Sequence, residues 1–225
     1  MHCVSQKHVL FSEILAVTSA MRKNSRWASA THFVNPRDSA LASNLGLRLS
    51  APQHHLHGSA SGTAENDLMS GFRNLKRLIQ DVPGALTPAS PSALLVMTSY
   101  HVDVAALPLS DLLAPFFAII RSPLSTGPIT STALSALHGF FVCGLISPKA
   151  VGLSAALIEL SNTVSHCKFE ASDSSGDEVV LLRIMTVIQD CMCGDVGAFL
   201  GDIEVCEMLE TVLTTCCQIR LSGGY

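Results

Sequence analysis

The chain has 225 residues, of which 14% are charged and 48% hydrophobic, with a mean hydropathy of +0.39. Charge this sparse and hydrophobicity this high exclude disorder along the whole chain, and they exclude collagen-like and coiled-coil composition. Aromatic residues are only 5%, too few for a platform that stacks single-stranded nucleic acid, so no nucleic-acid partner is expected. The most apolar stretch, 107–120, runs for 14 residues and contains Asp111 and Pro115, short of the roughly 20 apolar residues that span a bilayer. The first residues, MHCVSQKHVLFSEIL, lack the pattern of a secretory signal. The eight cysteines include Cys191-Met192-Cys193 and the adjacent Cys216-Cys217, poor frameworks for disulfides, which suits a reduced, cytoplasmic setting. Charge is uneven: residues 1–80 hold nine Lys/Arg and four Asp/Glu (net +5), and residues 81–225 hold five and fourteen (net −9).

In chain order, Val9, Leu10, Ile14, Val17 and Met21 recur at helical spacing and predict a helix over 7–27. Arg22, Lys23 and Arg26 crowd its C-terminal end, where positive charge suits the helix dipole. Residues 28–67 are rich in Ser, Ala, Asn, Gly and His and read as a long disordered loop. Leu68, Phe72, Leu75, Leu78 and Ile79 predict a helix over 68–80. Pro83, Pro88 and Pro91 mark a second irregular segment, 81–106.

From Leu107 the chain turns regular. Leu112, Leu113, Phe116, Phe117 and Ile120 predict a helix over 109–121. Gly127-Pro128 opens a helix over 128–145, with proline in the first turn. Ser147-Pro148 predicts an N-cap and first position for a helix over 148–167. Ser175-x-x-Glu178 reads as a capping box ahead of 177–192. Asp202 can cap a last helix, 203–221, whose buried stripe is expected to be Ile203, Cys206, Leu209, Leu213, Cys216 and the stem of Arg220. No segment alternates with period two. The fold class expected is all-α, an armadillo- or HEAT-like stack of antiparallel helices in a single domain, 1–225.

Chemical motifs are weak. His54-His55-Leu56-His57 could bind a metal, but the cluster lies in a low-complexity loop, and a zinc site needs about four placed ligands. The paired cysteines lack metal-ligand spacing and read as core thiols. Gly152-Leu153-Ser154-Ala155-Ala156 lacks the final glycine of a nucleophile elbow, and nothing places a base beside Ser154. Asp173 to Glu178 lacks the spacing of a calcium loop. No phosphate-cradling glycine motif occurs. The residues alone describe a helical binding or scaffold domain without cofactor, metal or catalytic site; a metal-dependent enzyme using the histidines and cysteines is the more remote alternative.

Three stretches together resemble a known family. Residues 21–27, MRKNSRW, resemble the end of the first helix in the large Arf guanine-nucleotide exchange factors. Residues 115–134, PFFAIIRSPLSTGPITSTAL, and 164–188, VSHCKFEASDSSGDEVVLLRIMTVI, resemble two further stretches, the second being the most specific. The fit is best to the Golgi brefeldin A-resistance group, with its GNOM and Gea members, over residues 8–27 and 68–221. In that family the matching segment is the N-terminal dimerisation and cyclophilin-binding region, an armadillo-like domain. The resemblance implies self-dimerisation, contact with the homology domain that follows, small GTPases of the Arf and Rab type as partners, and peripheral attachment to Golgi membranes through the full-length protein. It implies no catalysis here, since exchange belongs to a later domain of the Sec-seven type to which nothing in these residues corresponds. On this reading the chain, which stops at Ser-Gly-Gly-Tyr just after the last matched helix, is expected to be an isolated domain or the product of a truncated gene. The protein-contact residues expected are Arg22, Lys23, Arg26 and Trp27, because arginine and tryptophan favour binding anchors.

Overall fold

The computed structural model describes residues 5–24, 60–80, 103–168 and 174–222. Among them are seven α-helices and no strand, so the all-α helical stack expected from the sequence is the architecture found. The helices are α1 (Gln6–Lys23), α2 (Ala60–Gln80), α3 (Leu109–Arg121), α4 (Gly127–Val142), α5 (Leu153–Ser165), α6 (Ser174–Cys193) and α7 (Asp202–Ser222). Short 3-10 turns precede α3 (Val104–Ala106) and α7 (Gly197–Phe199).

The helices form two rows. One row runs α1, α4, α6; the other runs α2, α3, α5, α7. Consecutive helices α3–α4 and α5–α6 bridge the rows as hairpins, and α1 packs on α2. Directions follow from the tie points. At one end of α1, the Gln6 side-chain amide donates to the Gly144 carbonyl just past α4 (3.0 Å). At its other end, Asn24 reaches Thr126, which caps α4 (3.2 Å), so α1 and α4 are antiparallel. In the second row α3 and α5 run parallel: Leu109 N–H donates to Val151 O at their start, and Lys168 N–H donates to Ile120 O at their finish.

Helical periodicity explains why α3 and α4 are central. All five of the apolar positions predicted for α3 are buried, and Leu113, Phe116, Phe117 and Ile120 are completely so. Phe72 of α2, Phe116 of α3 and Phe140 of α4 stack edge to face across the rows, each neighbouring pair of rings 5.1 Å apart. Such geometry adds about 0.5–1.5 kcal/mol per pair beyond area burial. Ser125 is buried without penalty because its hydroxyl donates to Ile119 O (2.8 Å).

Several boundaries differ from expectation. The first helix ends at Lys23 and not at 27, because Asn24 is extended. The helix predicted over 68–80 begins at Ala60, within the segment read as a loop. Its first turns carry no apolar stripe, so burial periodicity could not reveal them. The remainder of the predicted loop, residues 28–59, lies outside the described residues, as do 81–102 of the second irregular segment. The last residues of that segment form the 3-10 turn, which Asp103 caps by accepting from Ala105 N–H (3.0 Å). Helix α4 stops three residues early because Gly144 takes a left-handed conformation (φ +72°) that lets its N–H bond Phe141 O.

The start of α5 is a clear correction. Ser147 and Pro148 do not open the helix; they form a turn closed by Ala150 N–H to Ser147 O (2.9 Å). Gly152, at φ +74°, then acts as the N-cap, and the helix runs Leu153–Ser165 instead of 148–167. Likewise α6 begins at Ser174, which places Ser175 inside the first turn and not at the cap of a box. Asp202 is the first residue of α7 and not its cap, and Gly201 O accepts from Val205 N–H.

Candidate protein-interaction surface

Helix α7 closes one end of the stack, and its packing reverses the sequence expectation. The stripe predicted to be buried faces outward: Ile203 is 71% exposed, Leu213 68% and Leu209 47%, with Cys206 and Cys216 exposed beside them. Arg220, the last predicted member, lies where side chains are outside the described residues. The face that does pack consists of Met208 (fully buried), Thr215 and the half-buried Val212. Helix α7 therefore has two apolar faces and uses one. Periodicity detects both, but it cannot say which one the chain itself covers. The helix is held by Ser161 of α5, whose hydroxyl lies 3.3 Å from Glu204 O and from a Glu207 carboxylate oxygen.

The elements beside α7 add to this end. Val179 and Leu182 on α6 are exposed, as is Phe199 in the turn before α7. A solenoid end that is meant to face water normally carries a polar outer face. This end instead exposes Ile203, Leu209 and Leu213 on α7, apolar surface of the kind a further helical layer would cover.

A second feature lies at the shared carboxyl end of α4 and α6. Here a cleft of about 420 Å³ is lined by Phe141, Val142, Pro148, Asp190, Asp195 and Val196, among others. Asp190 is fixed by His138 of α4, whose Nδ1 sits 2.6 Å from Asp190 Oδ2. These residues are 52 positions apart, and no sequence motif links them. In the other row Arg121 of α3 pairs with Glu159 of α5 at 2.8 Å.

Of the residues predicted to contact partners, Arg22 and Lys23 are exposed in the last turn of α1. Arg26 and Trp27 lie outside the described residues, as does the 54–57 histidine cluster. The cysteines divide. Cys191 is buried in the core as expected, and burial pushes its thiol up to about 12, with the Asp190 charge adding to the effect. Cys167 is likewise pushed up to about 12 by burial. Cys193, Cys206, Cys216 and Cys217 are exposed, against the expectation of core thiols. Ser154 is exposed at the start of α5, and among the described residues no hydrogen bond joins it to a histidine: His138 pairs with Asp190, and His166 turns back to Asn162 O of its own helix. Among the described residues no three His, Cys, Asp or Glu side chains come together as a metal site would need, and no helix is long and apolar enough to cross a membrane.

Among the described residues the helical stack thus has an exposed apolar stripe on α7 and two side-chain ion pairs between helices, Arg121–Glu159 and His138–Asp190. Comparison with known proteins identifies its relatives. No protein-family model matches the chain. An uncharacterized Schizosaccharomyces pombe protein is 32% identical over 224 residues, or 97% of this chain. ARF guanine-nucleotide exchange factor 1 of Saccharomyces cerevisiae is 26% identical over 222 residues, again 97% of the chain. The exchange factor GNOM of Arabidopsis thaliana is 33% identical over 112 residues, covering 50% of the chain and 7% of GNOM. The chain is thus homologous to ARF guanine-nucleotide exchange factors over nearly its whole length, as the resemblance in 115–134 and 164–188 implied. It spans 14% of the length of the two fungal relatives.

Proposed function

We propose that this chain is a non-catalytic regulatory and dimerisation domain of an Arf guanine-nucleotide exchange factor acting in Golgi vesicle trafficking. It works by protein contacts: with a second copy, with the homology domain that follows it, and with small GTPases of the Arf and Rab type. Its setting is cytoplasmic and peripheral on Golgi membranes, reached through the full-length protein. The observation that supports this reading is the second, outward apolar face of α7, which fits another helical layer. The relatives support it too, because their much greater length leaves room for a separate exchange domain.

Arg22 and Lys23, exposed at the far end of α1, are the proposed surface for self-association. Reversing both charges (Arg22→Glu with Lys23→Glu) weakens self-association in sedimentation equilibrium and leaves helicity unchanged. An unaltered association constant removes this surface. The domain's role itself is tested by nucleotide exchange on purified Arf. The chain alone leaves the rate at its intrinsic value, and it alters the rate when added to the rest of the exchange factor. Acceleration by the chain alone would refute a non-catalytic role.

A further inference from the structure

We infer that the open face of α7 accepts a helix whose apolar stripe is flanked by lysine and arginine, and that it turns away the same face of a second copy of this chain. This rests on the proposed contact with the homology domain that follows.

The apolar stripe of α7 is not bordered by neutral residues. Asp202 is four residues before Cys206 and seven before Leu209; Glu210 is seven after Ile203 and three before Leu213. On a helix of 3.6 residues per turn both acids lie within or beside the exposed stripe. Both are exposed, and neither has an ion-pair partner among the described residues. Their surroundings carry the same sign. Between Glu178 and the end of the described side chains on α7 there are seven acidic residues and one basic residue, Arg183. The opposite end of the stack differs: the described side chains of α1 and α2 include six Lys/Arg and two Asp/Glu.

A self-complementary contact across the α7 face would set Asp202 and Glu210 of one copy against the same acids of the other. Like charges meeting at an interface work against association, whereas opposite charges speed encounter and fix register. Burying Ile203, Leu209 and Leu213 thus favours a helix that brings cations to the stripe's edges. The charge argument therefore disfavours the symmetric pairing of two α7 faces.

The test uses the whole 225-residue chain under reducing conditions and two synthetic amphipathic peptides of about 20 residues. The peptides share one leucine stripe and differ in having lysine or glutamate at its flanks. Fluorescence anisotropy at low salt shows the lysine peptide binding about tenfold more tightly, and the gap narrows at high salt as screening grows. Asp202→Lys with Glu210→Lys reverses the preference. Sedimentation shows self-association unchanged by Ile203→Ser with Leu213→Ser. Weakened self-association in that variant overturns the inference, because a second copy would then occupy the face. Failure of both peptides to bind also overturns it. Equal affinities that are lost in Ile203→Ser with Leu213→Ser overturn the charge assignment and leave the apolar contact standing. Equal affinities retained in that variant overturn both.

Discussion

Helix α7 offers two substitutions, five residues apart, that should behave in opposite ways. Met208 is fully buried, packed into the core, and Leu213 is 68% exposed. Met208→Ala removes buried methylene groups and the sulfur, and leaves space that rigid neighbours fill only in part. The cost is about 2–5 kcal/mol. Leu213→Ala removes a side chain with about one third of its surface covered. Full burial of leucine contributes roughly 1.5–3 kcal/mol, so one third of that is about 0.5–1 kcal/mol, and the slightly better helix propensity of alanine offsets part of it. Leu213→Ala should therefore cost about 0.5 kcal/mol. Urea unfolding followed by circular dichroism separates the two. Met208→Ala lowers the midpoint strongly and Leu213→Ala barely moves it, with the slope unchanged in both. A cost above about 2 kcal/mol for Leu213→Ala would mean that the chain buries the Ile203–Leu213 stripe itself, and the argument for an open face would fail.

Other consequences can be checked on the same protein. Under native conditions Cys193, Cys206, Cys216 and Cys217 should alkylate quickly, and Cys167 and Cys191 should stay protected, because those two are held as neutral thiols with values pushed up to about 12. Mass spectrometry after a short pulse of reagent distinguishes the classes, and early modification of Cys191 would contradict the packing of α6. Burial of Glu13 on α1 raises its carboxyl above the ordinary value. The folded state then binds a proton that the unfolded chain has released, so this group's contribution falls as pH rises from the ordinary glutamate value through the raised one. Glu13→Gln should flatten the stability profile in that window and raise stability at neutral pH; a profile identical to the parent's would show that burial does not govern Glu13. Thr130 is fully buried, and its hydroxyl has no hydrogen-bond partner among the described residues. The near-isosteric Thr130→Val should stabilise by about 1 kcal/mol in urea unfolding, and a loss of stability would mean that the hydroxyl is satisfied.

How much was legible depended on how each helix is used. Helix α3 was read correctly because it lies between α2, α4 and α5, so its apolar residues all find partners within the chain. Along α1 the predicted stripe is the packed one: Leu10, Ile14, Val17 and Met21 are buried against α2 and α4, and Val9 is partly buried beside them. Helix α7 defeated the same method. Its two apolar stripes have the same period, and burial depends on which side meets α5 and α6, a fact of topology absent from local spacing. The α5 boundary failed for a different reason. Ser147-Pro148 is a good opening signal, but the chain spends it on a turn that carries Val151 O to Leu109 N–H, and Gly152 supplies the left-handed residue that starts the helix. The cleft between the ends of α4 and α6, with its His138–Asp190 pair, joins residues from helices not consecutive in sequence, so no motif could have shown it.

The measurement closest to the central claim is a calorimetric titration of this chain with the homology region that follows in an Arf exchange factor, repeated with Ile203→Glu and Leu213→Glu together. The parent chain should bind, and the variant should lose at least about tenfold in affinity, since two exposed apolar contacts become buried, unpaired charges. Circular dichroism should show both chains equally helical. Equal affinity of parent and variant, with helicity intact, would contradict the assignment of α7 as the contact face.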